Sequence, residues 1–148
     1  MRTCNLKPVG NPVRVLIAEN HRHDSDLLVQ QLRKSNLADH VKIILDGKEA
    51  WNFLTTGGSD AHLIAIFLDL NLPSLSGLKL LYRIKAHPGL HDTPIIVMTP
   101  TNTIEEMDEC IRLGVDGFIA KPVTFSAFTK AVADVFQHVP AQAWTRSE

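Results

Sequence analysis

The hydrophobic residues of this chain fall into five short, nearly continuous runs, separated by longer segments of mixed polarity. The runs span residues 13–18, 41–45, 63–68, 94–98 and 117–120. They are rich in β-branched residues and carry almost no polar positions, which is typical of strands buried on both faces of a sheet. The pattern therefore predicts five strands, the first of them buried.

Helical spacing of apolar residues predicts a helix after each strand. The first helix is predicted from about residue 24 to 34, and the fourth ends at Gly114. The residues at helical spacing are Leu28 and Leu32; Ala50, Trp51 and Leu54; Leu78, Leu81 and Ile84, which we expect to face inward; Ile104, Met107 and Ile111; and Phe125, Phe128, Val132 and Val135.

Regular alternation of strands and helices predicts an α/β fold with a parallel sheet covered on both faces. For five strands we expect the flavodoxin-like (βα)5 three-layer sandwich, with strand order 2-1-3-4-5. One domain is predicted over residues 13–138, with a leader at 1–12 and a tail at 139–148.

Composition agrees with a soluble, cytoplasmic domain of one core. The chain has 148 residues, of which 45% are hydrophobic and 21% are charged. A net charge of −1 gives no reason to expect binding to nucleic acid or to a membrane, and no run is long enough to cross one. Cys4 and Cys110 are expected to be free thiols, because two cysteines form no disulfide framework or metal spacing.

Polar side chains directly follow four of the predicted strands. Glu19 and Asn20 follow the first, Asp69 the third, Thr99 the fourth and Lys121 the fifth. Ligands of open α/β sheets bind at the carboxyl ends of the strands, so we expect these residues to converge there. The set suits phosphoryl transfer to a carboxylate, because oxygen ligands hold Mg²⁺ while a lysine and a hydroxyl meet the phosphoryl oxygens.

Two other kinds of site fit the sequence less well. Dinucleotide binding needs glycines in the first strand–helix turn, and residues 19–23 contain none. His21 and His23 invite a metal site, but residues two apart do not share a helix face and no carboxylate–histidine cluster follows at ligand spacing. We therefore expect a solvated turn there.

The strand-end residues resemble those of the response-regulator receiver domain family over nearly all of residues 13–138. That family has an acidic pair after strand 1, an aspartate after strand 3, Ser or Thr after strand 4 and Lys-Pro after strand 5. Here these positions hold Glu19-Asn20, Asp69, Thr99 and Lys121-Pro122, and residues 67–73 with Gly77 look like the segment around the family's phosphoacceptor.

The resemblance implies a role for each site residue. Asp69 would accept the phosphoryl group, Thr99 and Lys121 would bind it, and Phe118 would be the switch aromatic. The ligands of Mg²⁺ would be Glu19, Asn20, Asp69 and the backbone carbonyl of Asn71.

Two residues depart from the family pattern. Asn20 stands where the second acid is usual, which removes one negative charge from the metal pocket. Pro100 follows Thr99 at a position that usually donates a backbone N–H, and proline has none. Asn20 predicts weaker metal binding. Both changes predict that Asp69 is phosphorylated slowly, that the phosphorylated state is less favoured, or that phosphorylation is lost.

The same resemblance implies that the chain is not an enzyme but signals by protein contact. Only about ten residues follow the last helix, too few for a DNA-binding module. Residues 45–54 and 84–94 look like the small regulators that partner phytochrome-type histidine kinases. A homodimer is expected through the fourth helix, the fifth strand and the last helix, with apolar material from Phe125, Phe128 and Phe136. The alternatives are a phosphorylation-independent pseudo-receiver and, less favoured, a small flavodoxin-like enzyme.

Overall fold

The computed structural model describes residues 15–34, 41–56, 63–99, 104–121, 124, 126–127 and 130. Over these residues, five strands alternate with four helices. The elements are β1 (Val15–Ala18), α1 (Arg22–Lys34), β2 (Val41–Ile44), α2 (Gly47–Thr55), β3 (Ala65–Asp69), α3 (Gly77–Ala86), β4 (Ile95–Thr99), α4 (Ile104–Leu113) and β5 (Gly117–Ala120).

All strand pairs are parallel, and the order across the sheet is β2-β1-β3-β4-β5. The predicted flavodoxin-like order is therefore confirmed. The third and fourth strands lie slightly later than predicted, since Asp69 and Thr99 are their last residues rather than the residues that follow them. Because Asp69 and Thr99 belong to the strands, hydrogen bonds to the neighbouring strands hold their backbone atoms at the carboxyl edge of the sheet. The positions of their Cβ atoms are fixed in this way.

The core lies on both faces of the sheet, as the continuous apolar runs predict. In β1, Leu16 and Ala18 join the cluster under α2, α3 and α4, whereas Val15 and Ile17 join the cluster under α1. Successive side chains of a strand point to opposite faces of the sheet. Because a core cluster covers each face, all four residues are fully buried. A central strand of this sheet therefore has no solvent face.

In two helices the buried residues are only partly those at the predicted spacing. In α3, Leu80 is fully buried together with Leu81 and Ile84, whereas Leu78 is only partly buried. In α4, Ile104 and Ile111 are 69% and 61% exposed. The residue that α4 does bury is Cys110, a free thiol.

The predicted fifth helix falls mostly outside the described residues. Residues 126–127 and 130 are helical. The predicted stripe of Phe125, Phe128, Val132 and Val135, the leader with Cys4, and the tail all lie outside the described part of the chain. Within that part, no helix is long and apolar enough to cross a membrane.

The loop that follows Asp69 is attached to the start of α2. Asp46 caps α2 by accepting hydrogen bonds from the N–H groups of Lys48 and Glu49, and its other oxygen accepts one from the Ser74 hydroxyl. The N–H of Gly47 donates to the carbonyl of Pro73. Asp46-Gly47 is thus a helix start that also positions the loop between β3 and α3.

The start of α3 lies directly against the backbone of Asp69, and glycine permits this approach. A Cβ at Gly77 would be 2.2 Å from the carbonyl oxygen of Asp69 and 2.5 Å from the Cα of Leu70. The Gly77 N–H also donates to the Leu70 carbonyl. Gly77 therefore sets the distance between α3 and the end of β3.

Gly77→Ala is expected to destabilise the domain by about 1–3 kcal/mol, as overpacking of a filled core does. Alanine is otherwise the better helix former, so without the steric conflict the sign would be reversed. Urea unfolding measures the change. Gly89→Ala is the matched control, since a Cβ there would meet only the His87 ring, at 3.3 Å. Gly77→Ala as stable as the wild type would contradict this close packing.

Candidate functional site

Three polar residues are buried at the carboxyl edge of the sheet. Glu19 and Asp69 are fully buried and Thr99 is 3% exposed, although their neighbours in the strands are apolar. Glu19 directly follows β1, and its N–H is bonded to the Ile44 carbonyl of the neighbouring strand. Burying a charge costs free energy unless it is paired, so the partners of the two carboxylates determine what this site can do.

The ammonium group of Lys121 lies between the two carboxylates. Its Nζ is 2.7 Å from Glu19 Oε2 and 3.0 Å from Asp69 Oδ2. Lys121 follows β5, and its own N–H donates to the Thr99 carbonyl, which brings the lysine back to the centre of the edge. The sequence-predicted convergence of Glu19, Asp69, Thr99 and Lys121 is thus found in the fold.

Backbone N–H groups also point at Asp69. The N–H of Asn71 donates to Oδ1 over 2.9 Å, and the N–H of Asn20 approaches Oδ2 at 3.5 Å. Both asparagines are exposed, and it is their backbone that contacts the carboxylate. The Asp69 side chain is therefore held at each of its oxygens.

The surroundings act differently on the two acids. Burial would raise the pKa of Asp69, but the N–H of Asn71 and the Lys121 ammonium together hold that pKa below its usual range. For Glu19, burial raises the pKa, and the nearby charge of Asp69 raises it further against the hydrogen bond from Lys121. Burial alone would lower the pKa of Lys121, but its bonds to Glu19 and Asp69 raise it. At neutral pH the site holds an ionised Asp69 and a cationic Lys121.

His21 belongs to this site. Its turn is exposed to solvent as expected, with the His21 side chain 60% exposed, but the expected absence of a carboxylate–histidine cluster is wrong. Its Nδ1 lies 3.2 Å from Glu19 Oε2, 3.8 Å from Asp69 Oδ2 and 3.1 Å from Lys121 Nζ. The helix-face argument fails because His21 precedes α1, in the turn after β1. Its second acid, Asp69, is 48 positions away in the sequence and becomes a neighbour only through the pairing of β1 with β3.

A divalent cation fits the chemistry of these side chains. Glu19 Oε1 is buried and has no hydrogen-bond partner in the described part of the chain. Glu19, His21 and Asp69 each offer a ligand atom, and these atoms lie within 4.8 Å of one another. Carboxylate oxygens are the ligands that Mg²⁺ and Mn²⁺ favour.

The remaining predicted site residues are placed as follows. Phe118 lies in β5 and packs, partly buried, against the core cluster that also contains Val97. Pro100 lies outside the described residues, as does Pro122.

Comparison with known proteins agrees with this geometry. Residues 15–133 match the family described as the response regulator receiver domain. Response regulator Rcp1 of Synechocystis sp. is 33% identical over 131 residues, which cover 85% of this chain and 88% of Rcp1.

Solved structures give the same result. The bacteriophytochrome response regulator AtBRR superposes with a TM-score of 0.70 at 30% identity, covering 84% of this chain and 94% of AtBRR. The Mn²⁺-bound form of Rcp1 superposes with a TM-score of 0.69 at 30% identity, covering 86% and 94% of the two chains. With its strand order and its buried acids at the sheet edge, this chain belongs to the response regulator receiver domain family.

Proposed function

We propose that this chain is a signalling switch in which Asp69 accepts a phosphoryl group from a sensor histidine kinase. Receiver domains of this family act in two-component systems, and phosphorylation of an aspartate is typical of them. The observation that carries the proposal is the buried, ionised carboxylate of Asp69 at the sheet edge, 3.0 Å from the ammonium of Lys121.

In the proposed reaction, a carboxylate oxygen of Asp69 attacks the phosphorus of a phosphohistidine. The oxygen–phosphorus bond of an acyl phosphate forms while the phosphorus–nitrogen bond to the kinase breaks, and the nitrogen keeps the bonding pair. Asp69 needs no deprotonation first, since its pKa is held low. The hydrogen bond from Asn71 keeps Oδ1 in place during the attack.

Lys121 supplies positive charge where the phosphoryl oxygens arrive. Its ammonium already lies within hydrogen-bond distance of Asp69, and a short rotation of its side chain would follow the new oxygens. Thr99, at the end of the neighbouring strand, is proposed to donate its hydroxyl to the same group, and Phe118 is proposed to respond as the switch aromatic. These roles are inferred from the family resemblance together with the positions of the two residues on β4 and β5.

Mg²⁺ is the proposed cofactor, bound by Glu19, Asp69, Asn20 and the Asn71 carbonyl. When bound, it would supply further positive charge to the transferred group. Support comes from the buried oxygen of Glu19 that lacks a partner among the described residues, and from the Mn²⁺-bound form of the relative Rcp1.

A phytochrome-type histidine kinase is the proposed partner. Support comes from the likeness to AtBRR and Rcp1. Residues 45–54 and 84–94, which resemble such regulators, also lie together in this fold. The Trp51 ring meets the His87 ring edge-on at 6.0 Å, and the Arg83 guanidinium lies 5.6 Å from the Trp51 ring centre.

The proposed output is contact with another copy of this chain. Ile104 and Ile111 are exposed on α4, next to the edge strand β5, and exposed aliphatic side chains on one helix favour an interface there. The last helix is proposed to complete this surface, and a cytoplasmic location stays a prediction.

The experiment is phosphorylation with acetyl phosphate and, separately, with a phytochrome-type kinase and ATP, each with Mg²⁺ or with EDTA. Intact mass measures the product. We expect the gain of one phosphoryl group with Mg²⁺ and none with EDTA. No gain from either donor would contradict the proposal.

The second candidate is a pseudo-receiver that binds partners without phosphorylation. The observation that favours it is Asn20, a neutral residue whose backbone, not a carboxylate, faces Asp69. Binding of a partner that is unchanged in Asp69→Ala, together with no phosphoryl gain, would support this candidate.

A further inference from the structure

The turn after β1 adds an imidazole to the metal pocket that the family resemblance implies. His21 Nδ1 lies 3.2 Å from Glu19 Oε2 and 3.8 Å from Asp69 Oδ2. Two ligands bound about 2.1 Å from one ion are about 3.0 Å apart in an octahedral site and about 3.4 Å apart in a tetrahedral one. The two distances from His21 Nδ1 are therefore within about 0.8 Å of the spacing between ligands of one ion, and all three ligand atoms lie within 4.8 Å of one another.

The ammonium of Lys121 lies where such an ion would be bound, so binding of the ion requires the lysine side chain to turn away, as it is proposed to do toward the phosphoryl oxygens. Its ammonium lies 2.7 Å from Glu19 Oε2, 3.0 Å from Asp69 Oδ2 and 3.1 Å from His21 Nδ1. An ammonium has only donors, so a hydrogen bond between these two nitrogens uses the Nδ1 lone pair, the same lone pair that would bind a cation. All three ligand atoms thus converge on one positive charge.

Two further features of the site favour binding of a cation. The backbone N–H of His21 donates to Glu19 Oε2 over 2.7 Å, which holds the histidine beside the carboxylate. Glu19 Oε1 is buried without a hydrogen-bond partner in the described part of the chain, although the carboxylate is fully enclosed. An ion bound by both oxygens of the Glu19 carboxylate would give Oε1 a partner, as buried charged groups require.

We propose that His21 is a direct ligand, through Nδ1, of the divalent cation bound by Glu19 and Asp69, in place of the carboxylate that Asn20 lacks. The inference rests on the proposed phosphoryl-accepting site. Its consequence is ion preference: Mg²⁺ favours oxygen ligands, whereas imidazole binds first-row transition ions more strongly. This chain is therefore expected to prefer Co²⁺ and Mn²⁺ over Mg²⁺ by more than a receiver with an all-oxygen pocket.

The first test is calorimetric titration of the tag-free chain with Mg²⁺, Mn²⁺ and Co²⁺. His21→Ala is expected to weaken Co²⁺ binding by about tenfold or more and to change Mg²⁺ binding far less. Residues that only hydrogen-bond to a metal ligand already contribute about tenfold to metal affinity, so a direct ligand is expected to contribute at least as much. His91→Ala is the matched control, because His91 is similarly exposed and its Nδ1 lies 3.0 Å from the carboxylate of Asp92. It is expected to change neither affinity. Equal Co²⁺ affinity in wild type and His21→Ala would overturn the inference.

The second test reads the bond itself. Pulsed electron paramagnetic resonance of the Mn²⁺-loaded chain detects coupling to a directly bound imidazole nitrogen. We expect this coupling in wild type and in His91→Ala, and its loss in His21→Ala. A wild-type spectrum without nitrogen coupling would overturn the inference.

A third arm separates this inference from the proposed function. Phosphorylation of the wild type with Mg²⁺ is measured on the same samples. Phosphorylation without nitrogen coupling removes the histidine ligand and leaves the phosphoacceptor in place. Nitrogen coupling without phosphorylation by any donor or ion keeps the histidine ligand and removes the proposed function.

Discussion

Asp69→Asn is expected to abolish phosphorylation completely while the domain stays folded. An amide is no nucleophile for phosphoryl transfer, whereas its oxygen can still accept the hydrogen bond from the N–H of Asn71. The change loses a bond to Lys121 but also removes a charge that raises the pKa of the buried Glu19. These effects oppose each other, so the free energy of unfolding is expected to stay within about 1 kcal/mol of wild type.

Intact mass after treatment with acetyl phosphate and Mg²⁺ measures the loss, and urea unfolding measures the stability. Asp92→Asn is the control, because Asp92 is an exposed aspartate away from the sheet edge, with its side chain 93% exposed. It is expected to be phosphorylated like wild type. A phosphoryl gain that persists in Asp69→Asn would place the acceptor elsewhere.

Lys121→Met is expected to be the most destabilising single change at this edge of the sheet. It leaves Glu19 and Asp69 fully buried without the ammonium that contacts both. Removing one partner of a buried ion pair costs about 3–5 kcal/mol, and we expect about 3, because the exposed side chain of His21 lies beside the two carboxylates. Phosphorylation is expected to fall sharply as well, since the phosphoryl oxygens lose their charged partner.

The loss of stability should depend on pH in a definite direction. In wild type the folded-state pKa of Asp69 lies below its usual value. Ionised Asp69 therefore stabilises the folded state at pH values above that usual pKa, and this stabilisation is lost as the pH falls through the folded-state pKa. Without Lys121 the carboxyl pKa values are raised in the folded state, so the variant loses stability as the pH rises. The difference from wild type is therefore expected to be larger at pH 8 than at pH 5.

Urea unfolding at the two pH values measures this difference. Lys79→Met is the control, because Lys79 is exposed on α3, and it is expected to stay near wild type at both. Adding Glu19→Gln to Lys121→Met is expected to restore part of the stability, since one buried charge is then gone. Lys121→Met within about 0.5 kcal/mol of wild type at both pH values would contradict the buried-charge account.

The strands and the strand-end residues could be predicted from the sequence because the signals are local. The run 63–68 has no polar position. A strand that is buried on both faces of a sheet has such a continuous apolar sequence, because neither face contacts water. Once the order 2-1-3-4-5 follows from the alternation, Glu19, Asp69 and Lys121 must meet at one edge. Their hydrogen bonds in the fold confirm this.

The apolar stripe of α4 shows where such reasoning stops. Ile104 and Ile111 have helical spacing but are exposed, and the short side chain of Cys110 faces the core instead. Periodicity shows that a helix has an apolar stripe, but not which stripe faces the sheet. Contacts of α4 with residues distant in the sequence are not visible to periodicity, such as the bond from the Lys85 ammonium to the carbonyl of Gly114, which follows α4.

His21 was missed for a different reason. Ligand spacing within one segment is a local pattern, whereas the contacts of His21 combine a residue two positions away with one on β3 and one after β5. The available signal was the position itself, in the turn directly after the strand that ends at the predicted site. The expected effects of Pro100 and of the phenylalanines of the last helix stay predictions, because those residues lie outside the described part of the chain.

The most direct test of the central claim is to locate the phosphoryl group. The chain is treated with acetyl phosphate and Mg²⁺ and then reduced with borohydride, which converts an aspartyl phosphate to homoserine, and its peptides are sequenced by mass spectrometry. Conversion at the position of Asp69, absent when the phosphodonor is left out, is the predicted result. Conversion at another acid, or no conversion at all, would contradict the assignment of Asp69 as the acceptor.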